Sequence, residues 1–170
     1  MADTRLYREN VFMGLAFPEA FADWQNPVVA ELNGPLVFDV TCALNEDGSS
    51  FNLADSDTDD TLTFCQSAGS VTPTRQNAEV VYEAERSTDP IDSNVANTAF
   101  GLLAFPDIEY FAILRVGKAS DEPFAVGDRI SLVRVATDYP VDVIGSTENV
   151  RLGQNFLAKS DINWGFRVVA

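Results

Sequence analysis

Residues 162–169 read Ile-Asn-Trp-Gly-Phe-Arg-Val-Val and place apolar side chains at every second position: Ile162, Trp164, Phe166 and Val168. Successive side chains of a β-strand point to opposite faces of the sheet, so this alternation predicts a strand with one buried face. It is the clearest period-two signal in the 170-residue chain. The fold prediction therefore starts from a β-sheet near the C-terminus.

Most of the remaining chain is also typical of β structure. Residues 109–116 form a nearly continuous apolar run, which predicts a central strand buried on both faces. Further strands are predicted at 36–44, 61–65, 78–86, 129–136 and 147–157. Clusters of Gly, Pro, Asp and Ser separate these segments, as expected for turns between strands.

Helical signals are confined to two segments. Residues 94–104 carry apolar side chains on one stripe and are followed by Pro106, which predicts the principal helix. A shorter helix is predicted at 26–34, with Asn26 as its N-cap and Gly34 as its stop. The predicted fold is therefore mainly β: a β-sandwich or barrel of about six to seven strands with one principal α-helix packed on the sheet.

The chain is long enough to bury a core as a single domain over residues 1–170. Within it, residues 1–23 lack clean periodicity and are predicted to form an extended N-terminal arm. Residues 45–60 are the most polar stretch, and we expect them to form a long acidic loop.

Composition excludes several classes of function. The chain has 26 acidic and 11 basic residues, a formal net charge of −15 and no histidine. Such a field repels phosphate, so we expect no tight binding to DNA or to anionic lipid. Without histidine, catalysis by Ser-His-Asp or Cys-His sites within the chain is impossible. No motif for a cofactor or for catalysis stands out, and the chain is predicted to be a non-enzyme with no cofactor.

Two groups of acids are the candidate functional residues. The first lies in the predicted loop and consists of Glu46, Asp47, Asp55, Asp57, Asp59 and Asp60. Its alternating acids resemble a calcium loop, but the EF-hand pattern needs Gly at the sixth position and Glu at the twelfth, where this chain has Asp60 and Gln66. A solvated loop or an assembly contact is the favoured interpretation. The second group shares one predicted strand face and consists of Glu79, Glu83 and Glu85. A solvated strand face is the default interpretation of this group, and a wall whose negative charge has a function is the alternative.

The cysteines and the N-terminus bear on location. Cys42 shares an alternation face with apolar neighbours and is predicted to be buried, with a disulfide to Cys65 as the alternative in an oxidising compartment. No apolar run approaches the ~18 residues of a membrane helix, so we expect no membrane insertion. Acids interrupt the signal-like pattern near the N-terminus, and we expect intracellular synthesis.

Several segments, read in order, resemble the major tail tube proteins of long, non-contractile-tailed bacteriophages, especially those infecting actinobacteria. The segments that carry the resemblance lie at 56–59, 63–65, 97–103, 115–118, 123–128, 135–143 and 154–157. The resemblance covers roughly residues 36–170, and the combination of segments is more specific than any single one.

The resemblance implies a virion protein that assembles with itself into stacked, hexameric rings around a channel for DNA. Residues 45–60 would then be the stacking loop that reaches the adjacent ring, and 94–104 would be the outer helix. Glu79, Glu83 and Glu85 would face the channel, through which double-stranded DNA passes without tight binding. The implied further partners are the tail terminator, tape measure and distal tail proteins, with assembly in the host cytoplasm.

Other functions fit the composition as well. A tail terminator or a capsid decoration protein would have a similar sandwich but would not polymerise with an axial repeat. A secreted β-sandwich binding module would carry the disulfide between Cys42 and Cys65 and an exposed aromatic patch.

Overall fold

The computed structural model describes residues 10–59, 72–86, 95–144 and 150–170, without the side chains of 56–59, 72–75 and 160. Its strands are β1 (Val11–Ala16), β2 (Val37–Asp39), β3 (Ser50–Asp59), β4 (Thr72–Glu85), β5 (Glu109–Val116), β6 (Arg129–Thr137), β7 (Val141–Ile144) and β8 (Val150–Arg167). The helices are α1 (Val29–Leu32) and α2 (Val95–Leu103), with 3₁₀ turns at Pro18–Ala20 and Thr41–Ala43.

The strands form one antiparallel sheet in the order β2-β1-β5-β6-β8-β4-β3, and β7 also pairs with β8. β8 is long enough to take part in two layers of the fold. Its residues 156–167 pair with β6, and its residues 150–156 pair with β4 and β7. We call β2-β1-β5-β6-β8 the first layer and β3-β4-β8-β7 the second layer.

The two layers pack face to face over the main core. Tyr82 from the second layer donates a 3.4 Å hydrogen bond to the carbonyl of Gly14 in the first. Helix α2 contributes Ala99, Leu102 and Leu103 to this core. The predicted mainly β sandwich with one principal helix is confirmed, and the described residues form eight strands where about six to seven were predicted.

A second core covers the other face of the first layer. Phe12, Phe111 and Ile113 point away from the sandwich interior and are covered by apolar side chains from outside the sheet: Phe21, Leu32, Phe124 and Val168. The first layer is therefore buried on both faces, which explains the continuous apolar run of β5.

An arginine lies within this second core. Arg115 is fully buried, and its guanidinium donates hydrogen bonds to the carbonyls of Ala119 (2.6 Å) and Glu122 (2.8 Å). Phe124 and Phe12 flank it, with ring centroids 4.5 and 5.5 Å from the guanidinium carbon. These contacts tie the segment that follows β5 to the sheet.

The prediction of an extended arm over residues 1–23 is wrong for the described part of that segment. Val11–Ala16 is strand β1, which lies inside the sheet between β2 and β5. Its side chains are buried on both faces, so neither a period of two nor a helical period was visible in the sequence. Residues 1–9 lie outside the described residues.

The prediction of a loop over residues 45–60 is also wrong in its larger part. Only residues 45–49 connect elements, and Ser50–Asp59 is strand β3, paired along its length with β4. Asp and Ser disfavour strands, but the backbone hydrogen bonds offered by β4 override that weak preference. Asp60 and the strand predicted at 61–65 lie outside the described residues.

Other boundaries shift for local reasons. The predicted helix at 26–34 is reduced to four residues, and its N-terminus is capped by the carboxylate of Glu31, which accepts from the Val28 amide at 3.1 Å. The predicted strand at 36–44 ends at Asp39, whose carboxylate accepts from the Thr41 amide at 2.9 Å and begins a 3₁₀ turn. Cys42 lies in that turn and is exposed and free, so its predicted burial is wrong.

Candidate assembly surface

The outer face of the second layer carries a row of acidic side chains that the strand β4 arranges regularly. Cross-strand partners share a face, which places Glu79 beside Asn52, Val81 beside Asn155, and Glu83 beside Gly153. The opposite side chains of β4, including Val80, Tyr82 and Ala84, are buried in the main core. This confirms the predicted half-buried strand and places Glu79, Glu83 and Glu85 together on its outer face.

The three glutamates differ in their surroundings. Glu79 and Glu85 are exposed, and in the described part of the chain neither forms an ion pair. The carboxylate of Glu83 lies 2.8 Å from the guanidinium of Arg151 on β8, and its side chain is only 14% exposed. Among the described side chains of this face, Arg151 is the one cation, and it is paired. The described side chains of this face therefore carry a net negative charge.

The remaining basic residues either lie away from this face or have side chains outside the part of the chain that the structure describes. Arg86 follows β4 but turns towards α2, where its guanidinium lies 5.1 Å from the Phe100 ring centroid and 3.7 Å from an Asp142 oxygen. Arg5 and Arg8 lie outside the described residues, as does the side chain of Arg75. Sequence reasoning missed Arg151, because only the strand register shows that it faces the acids.

The described acids of the predicted stacking loop lie in two places, the turn before β3 and the strand β3 itself. Glu46 and Asp47 are exposed in the turn before β3, where the Asp47 amide donates to the side chain of Asn45 at 2.9 Å. Asp55 is exposed on β3 itself, and Asp57 and Asp59 follow towards its end. Asp60 lies outside the described residues.

The second layer ends in two strand edges. Among the described strands, β3 pairs only with β4 and β7 pairs only with β8. The edge at β7 is apolar, with exposed fractions of 75% for Tyr139, 56% for Val141 and 81% for Ile144. Sequence reasoning missed β7 as a strand, although the alternation of Val141 and Val143 around Asp142 was a usable signal.

A further ion-pair network lies on the first layer and joins residues of β5, β6 and β8. Arg134 donates to Glu109 at 2.6 Å and to Asp161 at 3.1 Å, and Lys159 lies 3.9 Å from Glu109. The hydrogen bond from Arg134 and its charge lower the pKa of Glu109. Most of the described basic side chains therefore contact acids or carbonyls of their own chain, which leaves the excess of acids to define the surface.

In the described residues no group of three or more His, Cys, Asp or Glu side chains is arranged to hold a metal ion. No helix in the same residues is long and apolar enough to cross a membrane.

Fold and surface together define a mainly β sandwich protein with an acidic sheet face bounded by two strand edges. The sequence matches the family model described as Phage tail tube protein over residues 1–170, and the chain belongs to that family. No curated protein matches the sequence. Membership makes the chain a structural component of a bacteriophage virion, as the resemblance predicted, and favours the tail tube over the terminator, the decoration protein and the secreted module.

Proposed function

We propose that the chain is a non-catalytic tube subunit of a long, non-contractile tail, which assembles into stacked hexameric rings. Six is the ring number that the family resemblance implies. In this proposal the outer face of the second layer lines the channel, so that Glu79, Glu83 and Glu85 face the DNA. The observation that carries it is the regular acidic face, on which the one described cation is paired to a glutamate.

The sign of this charge matters because double-stranded DNA carries one negative charge per ~1.7 Å of its axis. A few unpaired basic side chains per ring, repeated along a tube, would bind the passing duplex and slow its ejection. Glu83 prevents this at Arg151 by holding the guanidinium at 2.8 Å. A wall of exposed carboxylates lets DNA pass without tight binding, and no cofactor is needed.

The stacking contact belongs to the polar connections of the second layer. We propose that the turn with Glu46 and Asp47 and the acidic end of β3, with Asp55, Asp57, Asp59 and Asp60, contact the adjacent ring. Assembly in the host cytoplasm would then be completed by the tail terminator, tape measure and distal tail proteins.

Negative-stain microscopy of the purified protein tests the assembly directly. We expect rings or tubes with a regular axial repeat at high protein concentration. A stable monomer at every concentration would refute the proposed function.

A charge-reversal experiment tests the channel face. We expect virions with Glu79→Lys and Glu85→Lys to assemble but to eject DNA more slowly, because four units of positive charge per subunit are added to the wall. The matched control is Glu19→Lys with Asp121→Lys, which makes the same charge change at exposed positions outside the second layer. Equal ejection rates in the two variants would show that this face does not line the channel.

A further inference from the structure

We infer that Asn33 is a deamidation site which the fold keeps unreactive, and whose reaction makes the detachment of one loop irreversible. Asn33 and Gly34 form the single Asn-Gly dipeptide of the 170-residue chain. Gly34 has no Cβ, so no side chain hinders the approach to its backbone nitrogen. In a free chain that nitrogen attacks the side-chain amide of the preceding asparagine. The inference concerns the individual subunit and does not depend on the proposed function.

The reaction needs water and no other reactant. The Gly34 nitrogen bonds to Cγ of Asn33 and loses its proton, the Cγ–Nδ2 bond breaks, and Nδ2 leaves as ammonia with that proton. Water then adds to one of the two carbonyls of the five-membered imide ring. The ring opens at the adjacent C–N bond and leaves aspartate or isoaspartate, each with a new carboxylate.

The first argument is that both ends of the reactive amide are occupied. Nδ2 of Asn33 donates to the carbonyl of Phe124 at 3.0 Å, and Oδ1 accepts from the Phe124 amide at 2.9 Å. These two bonds join the end of α1 to a loop 91 residues further along the chain. Asn33 is exposed to solvent, so the hydrogen bonds rather than burial restrain its side chain.

The second argument is the backbone at the end of α1. Asn33 has a ψ of 11°, so the Gly34 nitrogen is nearly eclipsed with the Asn33 nitrogen and is turned away from the side chain. The Gly34 amide also donates to the carbonyl of Glu31 at 3.0 Å. Ring closure requires a rotation about ψ that breaks this turn. The dipeptide is therefore unreactive while α1 and the loop remain in place.

The loop that carries Phe124 determines when Asn33 is released. Residues 117–128, which connect β5 to β6, are called the covering loop here. The Phe124 ring packs edge to face on Phe12 at 4.9 Å, and Arg115 binds two carbonyls of the loop. Loops open locally at a lower free energy than the whole domain. Detachment of the covering loop therefore frees the amide of Asn33 before the sheet unfolds.

The product cannot restore the closed arrangement. A carboxylate at position 33 has no proton to donate, so the Phe124 carbonyl would face an oxygen instead of Nδ2. The added charge would also lie beside a cavity of about 180 Å³ that Asn33 lines together with Asp39, Asp121 and Glu122. Like charges at such short range repel one another. Deamidation therefore converts a reversible detachment of the loop into a lasting change of the subunit.

Peptide mass spectrometry of the folded and the urea-unfolded chain tests the protection. We expect Asn33 to be deamidated about thirtyfold more slowly in the folded chain, the factor that two hydrogen bonds of ordinary strength supply. Asp47→Asn is the matched control, because it places a second Asn-Gly dipeptide in the exposed turn before β3. No described residue donates a hydrogen bond to the Asp47 carboxylate. The introduced asparagine should therefore be deamidated almost as fast in the folded chain as in urea.

The variant Asn33→Asp tests the irreversibility. Urea denaturation followed by circular dichroism should show a folded-to-unfolded ratio about tenfold below that of the wild type, because the Phe124 carbonyl loses its donor. Asn155→Asp is the control, since it makes the same charge change at an exposed asparagine whose side chain forms no hydrogen bond with the described residues. Its ratio should stay close to that of the wild type.

Several results would overturn the inference. Deamidation of Asn33 at the same rate in the folded and the unfolded chain would show that the fold gives no protection, and no deamidation in urea would show that there is no site. Equal protection of the asparagine introduced by Asp47→Asn would show that the bonds to Phe124 are not the cause. Equal stability of Asn33→Asp and Asn155→Asp would exclude the irreversible step. None of these results bears on whether the chain assembles.

Discussion

Replacing Arg115 with methionine should destabilise the folded subunit severely, although Arg115 is remote from the acidic face. Methionine keeps much of the aliphatic length but removes the guanidinium. The carbonyls of Ala119 and Glu122, which accept at 2.6 and 2.8 Å, would lose their charged donor. Asp128, 3.8 Å from the guanidinium and only 8% exposed, would lose one of its two cations.

The magnitude follows from burial. Removing one member of a buried ion pair typically costs about 3–5 kcal/mol, because the remaining polar groups are left uncompensated. Arg115 has no exposed surface, so solvent cannot replace the lost contacts. At roughly 2–4 °C per kcal/mol for a chain of this size, the midpoint of thermal unfolding should fall by about 6–20 °C.

Urea denaturation of the monomer, followed by circular dichroism, measures this change in the free energy of unfolding. Arg134→Met is the control, because the Arg134 guanidinium donates hydrogen bonds of similar length, 2.6 and 3.1 Å, but its side chain is 37% exposed. A loss of about 0–1 kcal/mol is expected there. If Arg115→Met lost no more than Arg134→Met, the buried guanidinium would not be holding the segment after β5, and the reasoning would fail.

Two further predictions concern close packing and pH. Gly14→Ala should lower the free energy of unfolding by about 1–3 kcal/mol, since the added Cβ would lie 2.7 Å from the carbonyl oxygen of Phe38. Gly101→Ala in α2 should raise it by roughly 0.4–1 kcal/mol, because nothing lies within 4 Å of the added Cβ. Urea midpoints compare the two variants, and equal effects would contradict the packing of β1. Burial alone would raise the pKa of Asp128, but hydrogen bonds from Lys118 and the Ala125 amide lower this pKa overall. The ionised carboxylate of Asp128 therefore stabilises the fold fully above the ordinary aspartate pKa of about 3.9, and this stabilisation is lost as the pH falls through the lowered pKa. Asp128→Asn should therefore be less stable than the wild type at pH 7 and should approach it in acid; a constant difference across this range would exclude the linkage.

The sequence predicted those elements whose two faces differ in polarity. β4 alternates Val80, Tyr82 and Ala84 with acids, and α2 carries its buried residues on one stripe, so a single period identified each. β1 has no such contrast because both its faces are buried. β3 has none because its polar residues extend to both faces, and its partner strand determines its structure.

The candidate assembly surface was predicted only in part for a related reason. The alternation of side chains along β4 places Glu79, Glu83 and Glu85 on one face, and this information is local to one strand. The pairing of Glu83 with Arg151 depends on the register of residues 68 positions apart, and the exposure of β7 depends on which strands remain unpaired. Neither property can be read from spacing along the chain.

The strong negative charge of the chain has opposite consequences for the two properties proposed above, the passage of DNA and the contact between copies. A strongly negative chain suits a channel for DNA, but the same charge opposes contact between copies. The fold separates two kinds of surface within one layer, with carboxylates on the outer face of β4 and the uncharged side chains of Tyr139, Val141 and Ile144 at the β7 edge. Reversing the charge of the face should change the passage of DNA while assembly persists.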